Sequence, residues 1–262
     1  MRRVRPDLRP VIAAIACLGA SIASAEPLGG PFMGFGASPN GAGGANYVHF
    51  SPVEPIAPLA HDLLAGAFGE GNFAIQYAID DTGALVSVNT RDGSVTTIGP
   101  LGIALGPYVM LAVDPISGFL FAATPDAGCE TTSFYVVDRD SGAVQPGTTL
   151  QPCYQSMVFD SAGTLYLLDR DTVAIGIFDG GGPHELGPLG IPLDDSATLA
   201  IDPANDFLYL VQFVEGDNHV YFIDTTTGGA LLLAQTLGGK GPVSALAFAL
   251  PLPDEIFANG FD

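Results

Sequence analysis

Four closely spaced aspartate pairs are the residues of this chain best suited to chemistry: Asp80/Asp81, Asp138/Asp140, Asp169/Asp171 and Asp194/Asp195. Carboxylates, helped by backbone carbonyls, suit Ca²⁺, which takes oxygen ligands. None of the pairs sits in a D-x-[DN]-x-[DN]-G loop with its later glutamate. Asp138-Arg139-Asp140-Ser141-Gly142 comes nearest. The competing reading is local. Asp80, Asp138, Asp179 and Asp224 each close an apolar run, where a carboxylate accepts the backbone N–H groups of a turn. We take the turn reading first and keep Ca²⁺ as the one cofactor it leaves open.

Other chemistry is scarce. There is no G-x-S-x-G, and His49, His61, His184 and His219 are scattered outside any triad context. His184-Glu185 lacks the second histidine of H-E-x-x-H, and no P-loop or strand-linked G-x-G-x-x-G occurs. The chain has no tryptophan, on which quinone-binding propellers stack their cofactor. Tyr47, Tyr108 and Tyr154 are the substitutes for stacking a sugar ring. An enzymatic alternative is a metal-dependent hydrolase or lactonase, with candidate ligands such as Glu70, Asp81 or Glu130 converging on a central axis.

What must position these residues is a repeat. LAVDP begins at Leu111, MVFDS at Met157, LAIDP at Leu199 and LAFAL at Leu246. The first three are each followed by a turn and a second apolar run, then a third run that ends in a turn, then a short closing segment. Four short strands per repeat predict an all-β fold, a small β-propeller of four or five blades, each a four-stranded antiparallel sheet. The near-continuous apolarity of runs such as 165–168 means that both sheet faces are covered, as when each blade lies between two others. Asp114, Asp160 and Asp202 end the first strands and are expected to bond the turns that follow. The first repeat is the least regular, with strands expected near 63–68, 73–79, 85–88 and 95–98. The run 243–250 reads as the inner strand of a further blade and is expected to meet the 46–68 region to close the ring.

The ends of the chain carry different signals. Residues 1–25 read as a signal peptide, with Arg2, Arg3, Arg5 and Arg9, an apolar run too short to span a bilayer, and Ala23-Ser24-Ala25 as the cleavage site. Residues 26–45 read as a flexible Gly/Pro-rich leader, 46–250 as the propeller and 251–262 as a tail. Removing those four arginines and Asp7 from eight basic and 28 acidic residues leaves four basic and 27 acidic side chains. Such a field repels nucleic acid and anionic membrane surfaces. No run after residue 25 is long and apolar enough to suggest a membrane span. Cys129 and Cys153 remain, and an even pair in an exported chain predicts a disulfide.

The stretch AGAFGEGNFAIQYAIDDTGALVSVNTRDGSVTTIGPLG, with LAVDPISGFLFAAT, the cysteine pair and LAIDPANDFLYLV, resembles exported bacterial repeat domains of the quinoprotein-like and YVTN-type propeller group. The resemblance covers about residues 60–250 and implies fold and export, and it carries over no catalytic residue. The end EIFANGFD resembles a short tail recurrent in exported Gram-negative proteins, for which sorting or attachment is one role and packing on the domain another. These readings converge on an exported, non-catalytic binding or scaffold module, periplasmic, extracellular or at the cell surface. Its partner would be a protein or a glycan, met at a rim of loops between blades.

Overall fold

The computed structural model describes residues 33–38, 44–48, 54–69, 73–178, 182–235 and 241–250. The described strands are β1 (Met33–Ser38), β2 (Gly44–Val48) and β3 (Glu54–Pro58), then β4 (Leu63–Phe68), β5 (Ile75–Asp80), β6 (Ala84–Asn89) and β7 (Val95–Pro100). Next come β8 (Met110–Val113), β9 (Leu120–Pro125), β10 (Thr132–Val137) and β11 (Val144–Leu150). β12 (Tyr154–Phe159), β13 (Leu165–Asp169), β14 (Ala174–Phe178) and β15 (Pro183–Pro188) follow. The series ends with β16 (Thr198–Asp202), β17 (Phe207–Val214), β18 (Asp217–Ile223), β19 (Ala230–Gln235) and β20 (Ser244–Ala249).

These strands make five four-stranded antiparallel sheets among the described residues. Blades 1 to 4 are β4–β7, β8–β11, β12–β15 and β16–β19, each a meander with its first strand innermost. The fifth, closing blade has the order β20-β1-β2-β3, so its inner strand comes from the far end of the chain. The inner strands pack in sequence, β4 on β8, β8 on β12, β12 on β16, β16 on β20 and β20 on β4, which completes a ring. The architecture is a β-propeller, and the blade count left open by the sequence is five among the described residues.

Apolar side chains fill the spaces between blades. Ile79, Leu85, Leu111 and Leu120 join blades 1 and 2. Leu168, Ile175, Leu199 and Leu210 join blades 3 and 4. Burial of sheet on both faces accounts for the continuous apolar runs. The inner-strand aspartates do what their position requires. Asp114 accepts the Ile116 N–H at 2.9 Å, Asp160 the Ala162 N–H at 3.0 Å and Asp202 the Ala204 N–H at 2.8 Å.

One expectation is corrected. Residues 33–38 and 44–45 do not belong to a flexible leader: they form β1 and the start of β2, and the propeller begins there. The run 243–250 accordingly hydrogen-bonds β1, pairing Phe35 with Ala247, and packs beside β4 without pairing to it. The reason lies in the pattern of β1, where Phe35 and Ala37 are buried on alternate positions. Gly36 between them is a contact glycine, since a Cβ there would come 2.5 Å from the Val243 side chain. Residues 1–25, His49, Phe50 and residues 251–262 lie outside the described residues.

Candidate functional site: the axial channel and its mouths

The five inner strands enclose a channel of about 1120 Å³ along the propeller axis. Its wall is built from small and apolar residues, among them Leu64, Gly66, Ala112, Ser156, Ala200 and Ala247. Small side chains on inner strands leave the axis open, and polar groups gather where the strands start and end.

At the upper mouth, where inner strands begin, Arg170, Tyr108, Gln155 and Asp195 form one knot. The Arg170 guanidinium lies over the Tyr108 ring, 5.2 Å from its centre, and pairs with the Asp195 carboxylate. Its Nη1 donates to Gln155 Oε1 at 3.0 Å, and the Tyr108 hydroxyl donates to Asp195 at 3.2 Å. Gln155 in turn donates to the Asp194 carbonyl at 2.7 Å and the Ala197 carbonyl at 3.2 Å, which ties β12 to the approach to β16. Burial pushes the Tyr108 phenol up; Arg170 opposes the shift and Asp195 adds to it.

At the lower mouth, where inner strands end, Arg139 reaches from the turn after β10 to stack on Tyr77 of blade 1, 5.5 Å from the ring centre. It also donates to the Gly118 carbonyl, and its Nε is buried without a hydrogen-bond partner among the described residues. Ser161 and Asp206 link blades 3 and 4 at this end, the Ser161 N–H donating at 2.8 Å. Beside Gly118 the β8–β9 turn projects two apolar side chains, Ile116 and Phe119, which are 69% and 56% exposed.

The structure sorts the aspartate pairs by role. The first member of each holds its own turn: Asp80 accepts the Thr82 and Ala84 N–H groups, and Asp138 accepts those of Asp140 and Ser141. Asp169 accepts those of Asp171 and Thr172, and Asp194 that of Ser196. Asp224 makes the same turn with Thr226 and Thr227. Hydrogen bonds from Ser141 and from Thr226 hold Asp138 and Asp224 below the usual carboxylate range. Of the second members, Asp81 meets His61 at 3.0 Å, Asp171 accepts the Cys153 N–H at 3.5 Å and Asp195 belongs to the upper knot.

Among the described residues no three His, Cys, Asp or Glu side chains come together as a metal-binding group. Asp81 and Glu130 stand on the upper loops of different blades, and Glu70 is outside the described residues. Of the three tyrosines considered for stacking a sugar, Tyr108 is at the upper mouth, Tyr154 is buried and the Tyr47 side chain is outside the described residues.

Cys129 and Cys153 are joined, with Cα atoms 5.0 Å apart. The bond ties the β9–β10 loop of blade 2 to the entry of blade 3. The upper knot was not singled out as a site from the sequence, because its members lie up to 87 residues apart. The one available signal was the scarcity of cations: of the four arginines and lysines after residue 25, Arg139 lines the channel and Arg170 lies over Tyr108 of its wall.

No described protein family and no curated protein matches the sequence. Solved structures do. A chain of the nidogen/laminin complex is similar over 84% of this chain and 99% of that chain, with 14% identity and a TM-score of 0.56. TolB from Acinetobacter baumannii matches 84% of this chain and 66% of its own at 10% identity and a TM-score of 0.49. The PQQ-bound aldose sugar dehydrogenase of Streptomyces coelicolor matches 69% of each chain at 14% identity and a TM-score of 0.48. At such an identity the likeness to the nidogen/laminin chain is one of fold. By its closed ring of meander sheets the chain is a β-propeller, five-bladed among its described residues.

Proposed function

We propose that this chain is an exported binding module that engages a protein partner with its lower rim. The observation that carries the reading is the exposed pair Ile116 and Phe119 beside the Arg139 that stacks at the lower mouth. An apolar anchor next to an arginine is the composition of an interface hot spot. Leu231 and Leu232 on β19 are also exposed, and it is the neighbouring arginine that favours Ile116 and Phe119 over them. The turn duties of Asp80, Asp138, Asp169 and Asp194 support a non-catalytic reading over a metal-dependent hydrolase or lactonase. The Cys129–Cys153 bond supports export, because disulfides persist in oxidising compartments. Residues 1–25 would be the export signal and residues 251–262 a sorting or attachment tail. No described helix is long and apolar enough to cross a membrane.

The test is affinity capture from the source cell envelope with the mature protein, the double variant Ile116→Ser/Phe119→Ser, and Ala127→Asp on the upper rim. A partner held by the wild type and by Ala127→Asp but lost by the double variant supports the lower rim. A partner retained by the double variant contradicts it.

A further inference from the structure

The four meander blades share a hairpin between third and fourth strands, and each hairpin has a one-residue bulge. Counted from the first pair of each hairpin, the bulged residue is Ile98 in blade 1, Leu186 in blade 3 and Leu233 in blade 4. Each of these side chains packs into the apolar cluster between its own blade and the next. They are plugs. In blade 2 the same place is Gly147, which has no side chain to insert.

Where the plug is missing, a cavity of about 540 Å³ opens between blades 2 and 3. Phe121, Phe134, Phe159, Phe178, Leu150 and Met157 form its apolar wall. Phe121 and Phe159 face each other with ring centres 5.6 Å apart. The hydroxyls of Tyr135, Thr148 and Thr164 are the polar side-chain groups of the lining, and no charged residue takes part, although the chain has 28 acids. The cavity shares Met157 and Phe159 of β12 with the axial channel but reaches the exposed Gly147 and Thr148 of the outermost strand.

We propose that this cavity binds one neutral small molecule, largely apolar and bearing an aromatic ring. Its volume lies within the range of pockets that hold such ligands, about 300–1,000 Å³. An ion entering it would lose water and find no opposite charge, so the uncharged lining selects against ionic ligands. Phenylalanine rings offer edges and faces to an inserted ring, and the hydroxyls can orient one polar substituent. This site is independent of the lower-rim reading, since neither Ile116 nor Phe119 lines it.

The test is a fluorescence titration of the intact mature protein with N-phenyl-1-naphthylamine, a neutral apolar probe. The expected result is saturable binding of one probe. Gly147→Leu should restore the plug and weaken binding at least about tenfold. Because a Cβ at Gly147 would come 3.0 Å from the Phe134 carbonyl, Ala162→Leu serves as a second filling variant. Ala162 is exposed on the cavity lip, so its replacement leaves the bulge alone, and binding should weaken by a similar factor. Leu64→Lys in the axial channel should leave binding within about twofold. Absence of saturable binding overturns the proposal, as does binding that survives Ala162→Leu or is abolished by Leu64→Lys alone.

Discussion

Replacing Gln76 by leucine should loosen the ring at its closure. Gln76 is fully buried on β5, next to the closing blade. Its Nε2 donates to the Ala245 carbonyl of β20 at 2.8 Å and to the Phe35 carbonyl of β1 at 3.3 Å. One side chain therefore holds both strands that join the two ends of the described fold. Leucine has a similar volume but no donor, and each buried carbonyl left unsatisfied costs about 1–3 kcal/mol. The longer bond to Phe35 belongs at the low end of that range. Gln76 Oε1 has no partner among the described residues, so its removal recovers about 1 kcal/mol. The net expectation is a loss of about 1–3 kcal/mol. At roughly 2–4 °C per kcal/mol for a domain of this size, the Tm should fall by about 2–12 °C. Urea unfolding gives the free energy, and amide hydrogen exchange gives its location. Exchange in β1 and β20 should accelerate while β12–β14 keep their protection. A loss under about 0.5 kcal/mol, or uniform acceleration across all blades, would refute the clamp.

The remaining predictions concern the covalent tie, the acids and the phenols. Cys129→Ala/Cys153→Ala removes a link across 24 residues and should cost about 3–4 kcal/mol in chain-entropy terms, read by urea unfolding against the oxidised wild type. Because the leading aspartates are occupied by their own turns, EDTA and then millimolar Ca²⁺ or Zn²⁺ should leave the Tm unchanged. A saturable rise, near 2.7 kcal/mol at about 100 times Kd, would make the acids a metal site. Asp92, Asp126, Asp138 and Asp224 have folded pKa values below their ordinary 3.8 through hydrogen bonds from their turns, Ser94, Glu130, Ser141 and Thr226 contributing first. Their contribution to stability is complete above the unfolded value and is lost as pH falls through the lower folded values. Acid unfolding should therefore begin below about pH 4 and shift upward in Asp138→Asn/Asp224→Asn. Burial pushes the Tyr154 and Tyr209 phenols up to about 12. A raised phenol favours the folded state below the unfolded value of 10 and loses that preference as pH rises to 12. Spectrophotometric titration should show Tyr154 and Tyr209 ionising last among tyrosines whose phenols burial raises, and Tyr209→Phe should remove one of these last steps.

Blade order was legible because it is written in short range. The first three LAVDP-type phrases carry an aspartate whose carboxylate bonds N–H groups a few residues ahead, as Asp160 does with Ala162 and Thr164. Strand, turn and partner all lie within one window of sequence. The closing blade was not legible in the same way. Glycines in 33–48 resemble those of a linker, and only the nearness of Val243 to Gly36, across the whole chain, shows that one of them is a packing glycine. The carboxylate pairs were visible, but their division into a turn-holding first member and a freer second one depends on which N–H groups the fold presents. Tyr108, Arg170 and Asp195 meet because the ring brings three separate connections to one mouth. The empty plug at Gly147 was within reach of the sequence. Aligning the fourth segments VTTIGP, VQPGTTL, PHELGP and ALLLAQ puts glycine where the others have isoleucine or leucine. What the alignment lacks is the aromatic wall, supplied by strands of two blades.

The claim that the lower rim is the binding face is tested most directly by site-specific photocrosslinking in the source envelope. p-Benzoylphenylalanine would be placed at Phe119 on the lower rim and, in a second protein, at Ala127 on the upper rim. The account predicts one defined adduct from position 119 and none from position 127, with the adduct lost when Ile116→Ser is added. An adduct from position 127 alone, or none from 119 under conditions where the partner is captured, would contradict it.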